Sequence, residues 1–237
     1  GSDTDESTAF GCDSAWKGEL KSDTLVVLDI DETILTTFVT NQNINHQIIE
    51  DKIIHKKEIN DGYFLYITFR PEFIEFINDE KHAKAADYIF YTRGSIPYAE
   101  RIIELLQDKE LVTSSFEIKM IISTTSEYDK VPQAILHEIG EMYAEFPKYK
   151  RMIILDDNLK RWDFNHKDLG KLKSFRVGWC GNYVRHFMMH ETDTDIFVPT
   201  VKVFDVWERL GLYREDGSIR AITAKHLHVL PGKRSRE

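Results

Sequence analysis

The stretch LVVLDIDETIL, from Leu25 to Leu35, sets two carboxylates directly behind four apolar residues. Leu25 to Leu28 reads as a buried strand, where an unpaired carboxylate costs several kcal/mol, so Asp29 and Asp31 need partners. The pattern returns at Met152 to Leu155, an apolar run that ends in Asp156 and Asp157. Thr92 follows the run Tyr88 to Tyr91, and Lys130 stands at a helix entry after the run Phe116 to Ile122. Four carboxylates converging on one pocket repel each other. A hard divalent cation resolves this, because octahedral Mg²⁺ takes carboxylates, a carbonyl, waters and a phosphate oxygen. A pocket of that composition suits a phosphoryl group.

Phosphoryl transfer needs an in-line nucleophile, positive charge on the equatorial oxygens and a proton donor for the leaving group. Asp29, at the strand end, is the candidate nucleophile, forming an aspartyl phosphate. Asp31 is the candidate acid that protonates the leaving oxygen and then activates water. Thr92 offers a hydroxyl and Lys130 a cation to the phosphate, while Asp157 and Asp29 hold Mg²⁺.

These residues meet only if the elements carrying them form one sheet. Arg70-Pro71 opens a helix with Phe73, Ile74, Phe76 and Ile77 on one face, and Ser95 with Pro97 opens another with Ile102, Ile103, Leu105 and Leu106. Val131 to about Phe146 gives a third. Strands alternating with helices predict an α/β fold, a doubly wound, mostly parallel sheet with ligands outside the carboxyl ends of its strands. Two β-prone runs, Ile48 to Ile54 and Tyr63 to Phe69, flank Asn60-Asp61-Gly62 and predict a small β-hairpin or flap inserted after the first strand, at about 36–69. Ser174 to Trp179 predicts a last strand and Val201 to Leu210 a last helix. Residues 1–24, with few apolar anchors, read as a flexible acidic arm, 25–212 as the catalytic domain and 213–237 as a solvated tail.

Composition narrows the partners. The chain has 237 residues, 42% hydrophobic, enough for a sizeable core. A net charge of -9 argues against non-specific nucleic-acid binding. Cys12 and Cys180 are too few for a disulfide framework. With no apolar run approaching a membrane span and no amino-terminal leader, a soluble, intracellular chain is expected.

The order Asp29-Ile30-Asp31-Glu32-Thr33, Thr92, Lys130, Asp156-Asp157 resembles the haloacid dehalogenase (HAD) superfamily of phosphohydrolases. LDIDETIL, ITFRPEFIEFI, FYTRGSIPYAERIIELL and MIILDDNLKRW are similar to the branch containing the phosphatases of the RNA polymerase II carboxy-terminal domain (CTD). The resemblance covers about Leu25 to Trp162. It implies Asp29 as nucleophile, Asp31 as acid/base and, through its carbonyl, a metal ligand. Thr92 and Lys130 then bind phosphate and Asp157 the metal, with Asp156 in support. Arg93-Gly94 departs from that branch, which more often has small residues after the threonine, and puts an extra cation, Arg93, near the phosphate or the substrate.

The expected function is a Mg²⁺-dependent phosphoprotein phosphatase. Neither Leu35 to Phe69 nor Arg93 to Lys130 has room for a large cap domain, so the cleft should be open to a phosphorylated protein or peptide. A small-molecule phosphatase of the same superfamily and a non-catalytic phosphoprotein-binding module are the alternatives, and retention of both Asp29 and Asp31 speaks against the second. A phosphoacceptor module would place its acid pair first. His186 and His190 lack a third zinc ligand, and Cys180 to Arg185 lacks the small residues of a tyrosine-phosphatase cradle.

Overall fold

The structure, a computed structural model, describes residues 10–41, 54–58, 62–142, 149–164 and 174–179. A six-stranded sheet forms the centre. Its strands are β1 (Cys12–Trp16), β2 (Thr24–Leu28), β6 (Asp87–Thr92), β7 (Ile118–Thr124), β8 (Arg151–Asp156) and β9 (Ser174–Trp179). They lie in the order β1-β7-β6-β2-β8-β9, all parallel except β1. The chain runs outward from β2 through β6 to β7, then returns across β2 to β8. The carboxyl ends of β2 and β8 therefore flank a topological switch point, the place where open α/β sheets bind ligands.

Strand β2 shows why the sheet is covered on both faces. Its five residues are all buried, the mark of a central parallel strand. Successive side chains point to opposite faces. Val26 and Leu28 join Phe73 and Ile77 of helix α1 (Pro71–Ile77) and Ile102 of α3 (Ile96–Leu106) in one core. Leu25 and Val27 join Ala134, Ile135 and Ile139 of α4 (Pro132–Met142) in the other. A short helix, α2 (Glu80–Ala85), capped by Asp79, precedes β6.

Two differences from the sequence expectation have physical causes. Residues 12–16, read as part of a mobile arm, form β1, which pairs antiparallel with β7 and covers that strand's open backbone edge. Leu20 of the same stretch is buried. The polar run after the first strand contains β3 (Leu35–Thr40), which no local apolar alternation marks. With β4 (Ile54–Glu58) and β5 (Phe64–Phe69) it makes a three-stranded antiparallel flap, β3-β5-β4, rather than a lone hairpin. Of the third expected helix, Val131 to about Phe146, the structure describes Pro132–Met142, and residues 143–148 lie outside the described residues. Residues 48–53, the helix at Val201 to Leu210, the carboxy-terminal tail, His186, His190 and Cys180 lie outside the described residues. Among the described residues, no helix is long and apolar enough to cross a membrane.

Candidate active site

Asp29 leaves β2 with its backbone N–H donating to Leu155 O at 3.0 Å, which locks the end of β2 to β8. The chain then turns sharply. Thr33 and Ile34 N–H both reach back to Ile30 O, and Glu32 sits in the left-handed region at φ 64, a strained conformation for a residue with a Cβ. Arg70 braces this turn. Its side chain is fully buried, its Nη2 donates to Glu32 O at 3.2 Å and its backbone N–H to Ile34 O at 2.8 Å. The Arg-Pro helix entry thus also shapes the loop that aims Asp31.

Lys130 is the centre of the charge network. It is 3% exposed, and its Nζ lies 2.9 Å from both Asp29 Oδ1 and Asp156 Oδ2. Backbone bonds to Arg161 O and from Asp163 N pin it to the loop after β8. The rings of Tyr91 and Trp162 stand 5.6 Å away, close enough to favour the ammonium. Burial alone would lower the lysine's pKa; Asp156 and Asp29 outweigh that and raise it, so the side chain stays charged.

The two aspartates after β8 are held differently. Asp156 accepts three hydrogen bonds: Lys130 Nζ and Trp162 Nε1 at Oδ2, and Asn158 N at Oδ1. Asp157 faces Asp29. The Thr33 hydroxyl lies 2.8 Å from Asp29 Oδ2 and 3.1 Å from Asp157 Oδ1, and accepts from Asp157 N. Having one proton, that hydroxyl serves only one of the two carboxylates at a time. Burial, and then the Asp29 charge, push the Asp157 carboxyl up to about 10. Burial and Asp29 likewise raise Asp156, against Lys130, which lowers it. Ligand atoms of Asp29, Asp156 and Asp157 lie within 4.8 Å of one another.

That donor set fits a hard divalent ion. Two buried carboxylates pressed together, one of them pushed toward protonation, are what a cation with oxygen ligands relieves. Asp29, Asp156 and Asp157 each bring an oxygen close enough to share such an ion, and the oxygens of Asp29 and Asp156 also accept from Lys130, with Thr33 on Asp29 and Trp162 and Asn158 on Asp156.

Asp31 stands exposed at the mouth of the cavity, its Oδ1 accepting from the Tyr98 hydroxyl at 2.6 Å. Loss of surrounding water raises its pKa, and the Tyr98 bond opposes the rise. Tyr98 reaches it from the first turn of α3, capped by Ser95, and its ring lies over Gly94. A Cβ at Gly94 would come within 2.7 Å of that ring. Thr92 is fully buried, and its Oγ1 accepts from Gly94 N at 2.9 Å, so its own proton is available to donate.

These groups surround a cavity of about 180 Å³, lined by the buried Asp29, Lys130 and Asp157 and by the more exposed Asp31, Arg93 and Arg161. Thr92 is beside it rather than in its wall. Sequence reasoning assigned no role to Thr33, Arg70, Tyr98 or Arg161, and noted Trp162 only as part of a resemblance. Thr33 had a usable signal, its place in Asp-x-Asp-x-Thr; the others act across the fold.

The profile of the NLI interacting factor-like phosphatase family matches residues 24–184, more than half of the chain. No curated protein matches it. A solved structure of an Arg-to-Ala variant of the fission yeast RNA polymerase II CTD phosphatase Fcp1, bound to beryllium fluoride, is 20% identical with a TM-score of 0.39, over 59% of this chain and 38% of that one. Another structure of Fcp1, described as an essential RNA polymerase II CTD phosphatase, is 19% identical with a TM-score of 0.38, over 59% and 39%. This chain therefore aligns with under half the length of those solved chains. By the family match, the chain belongs to the NLI interacting factor-like phosphatases, phosphoric monoester hydrolases of the HAD type that its motif order resembles.

Proposed function

We propose that the chain is a Mg²⁺-dependent protein phosphatase that works through an aspartyl phosphate on Asp29. The observation that carries this reading is the convergence of Asp29, Lys130 and Asp157 at the switch point of the sheet, with Asp31 at the cavity mouth. Lys130 and Thr33 fix the Asp29 carboxylate, leaving it little rotational freedom to lose during attack. An Asp29 oxygen bonds to phosphorus as the ester oxygen leaves, and Asp31 gives that oxygen a proton. Asp31 then takes a proton from water as the water attacks phosphorus, the Asp29–phosphorus bond breaks and inorganic phosphate departs. Asp29, the Asp31 carbonyl and Asp157 would hold Mg²⁺, which would supply charge neutralisation for the phosphoryl oxygens. Asp156 holds Lys130 in place, and Thr92 and Lys130 meet the phosphate.

A polypeptide substrate is favoured by what surrounds the cavity. Among the described residues the insertion after Asp31 is the three short strands of the flap, and only α3 and β7 lie between Arg93 and Lys130. Neither forms a cap domain, so the mouth can receive a phosphate presented on a chain.

The test is phosphate release from phosphoserine, phosphothreonine and phosphotyrosine peptides beside sugar and nucleotide phosphates, with and without Mg²⁺. Asp29→Asn serves as the comparison. Metal-dependent release from peptides, absent in the variant, is expected. Release confined to metabolites would remove the protein substrate while keeping the chemistry, and turnover by Asp29→Asn near the parent rate would remove the nucleophile.

A further inference from the structure

The cavity rim carries two cations that the reaction scheme does not use. Lys130 is paired with Asp29 and Asp156 inside the cavity, whereas Arg93 and Arg161 are part-exposed and are bound to one loop. Arg93 Nη2 donates to Tyr128 O at 2.8 Å, and Arg161 Nη2 donates to Ser126 O at 2.8 Å. Both guanidinium groups share one carboxylate, Asp129, at 3.8 Å from Arg93 and 3.3 Å from Arg161. Asp129 is itself half exposed. The Nε atoms of both arginines are shielded from water, and that of Arg161 faces Asp129 Oδ1 at 3.3 Å. Two planar, permanently charged groups set by one loop at the lip of a cavity, with one carboxylate between them, hold donors for a further anion.

Arg93 was expected among the phosphate binders. It lines the cavity, and its bond to Tyr128 O ties it to the loop that leads into Lys130 and also holds Arg161. Resting on the phosphopeptide reading above, we infer that Arg93 and Arg161 form a second anion subsite, which selects phosphopeptides carrying a carboxylate or a further phosphate beside the phosphorylated residue. The guanidinium fork matches either group in a bidentate way. The chemistry of the surroundings gives the pair its importance. The chain has a net charge of -9 and its cavity is rich in aspartates, so an acidic peptide is repelled unless a local cationic site receives it.

Binding separates this subsite from the reaction. Three peptides with one central phosphoserine, flanked by alanine, by glutamate or by a second phosphoserine, are titrated by fluorescence anisotropy against the Asp29→Asn protein in Mg²⁺. They are then titrated against the same protein carrying Arg161→Gln, or Arg161→Gln with Arg93→Gln. The expected result is tighter binding of an acid-flanked peptide than of the alanine-flanked one. That ratio falls about threefold with Arg161→Gln and about tenfold with both changes, the size of one and two part-exposed ion pairs. A preference for glutamate, for the second phosphate or for both identifies the flanking anion. Equal weakening of all three peptides, or an unchanged ratio, overturns the subsite.

Should a variant fail to fold, salt gives a second reading on the unaltered rim. The preference should collapse between low salt and about 0.5 M, where screening shortens to a few ångströms, and a salt-independent preference overturns the proposal. If no phosphopeptide is hydrolysed by the parent protein while the arginine-dependent preference persists, the catalytic reading fails and the subsite stands. Hydrolysis without such a preference has the opposite meaning.

Discussion

Asp29 and Asp87 are both buried, Asp29 just past the carboxyl end of β2 and Asp87 at the amino end of the neighbouring β6, so they lie on opposite sides of one sheet's strand ends. Asp87 Oδ2 accepts from Lys21 N at 2.9 Å, Ser22 N at 2.9 Å and the Tyr149 hydroxyl at 2.7 Å. These are neutral donors, two of them backbone groups, and they replace the water the carboxylate has lost. At the other end of the strands three aspartates crowd one lysine, and Asp157 faces Asp29. The hollow near Asp87 is the larger, about 420 Å³ against about 180 Å³. Its lysines are already paired, Lys84 with Glu80, Lys119 with Glu117 and Lys21 with Glu19. Burial of an acid, or the size of a hollow, therefore does not mark a reactive site; charge left in need of a cation does.

The sharpest way to break the comparison is to remove the buried cation that Asp29 and Asp156 share. Lys130→Met leaves Asp29 and Asp156 without a counter-charge, and is expected to destabilise the fold by about 3–5 kcal/mol and to abolish phosphate release. Chemical denaturation measures the first and the peptide assay the second. A fully stable Lys130→Met protein would show that the three aspartates do not depend on that cation.

Asp87→Ala should separate stability from activity. Three donors lose their acceptor, so unfolding is expected to become easier by about 2–3 kcal/mol, with kcat unchanged at a temperature where the variant remains folded. A selective loss of turnover would join the two ends functionally.

The gentlest test is pH. Burial and Asp29 raise the Asp157 carboxyl from 3.8 to about 10 in the metal-free fold. Between those values the folded chain binds a proton that the unfolded chain has released. The contribution of this group is therefore complete below about pH 4 and is lost as pH rises toward about 10. Denaturation at successive pH values should give a steeper decline for the parent protein than for Asp157→Asn, by at most about 1.4 kcal/mol per pH unit. Saturating Mg²⁺ should flatten the parent's slope, since an ion takes the place of the proton. A slope shared by both proteins would remove the raised carboxyl.

Much of the architecture was legible because its signals are local. Apolar runs at Leu25 to Leu28, Tyr88 to Tyr91 and Met152 to Leu155 marked strands, and Pro71 and Pro97 marked helix entries. β3 carried little signal, because Leu35, Thr36 and Thr37 do not alternate and the strand exists by pairing with β5. β1 was equally hidden, since its stability comes from the edge of β7. Tyr98 lies 67 residues from Asp31, and Thr33 lies 124 from Asp157; no periodicity in either neighbourhood reports those contacts.

The sequence by itself determined which residues stand at strand ends, because alternation, turn chemistry and the expense of a buried acid are properties of short stretches. It therefore named Asp29, Asp31, Thr92, Lys130, Asp156 and Asp157 as candidates. Only the tertiary structure decided how their charges are divided: Lys130 between Asp29 and Asp156, Asp157 against Asp29, and Arg93 and Arg161 both bonded to the loop before Lys130. The physical reason is range. Backbone preference acts over a few neighbouring residues, whereas electrostatics and hydrogen bonding depend on distances that exist only after the sheet has closed the switch point.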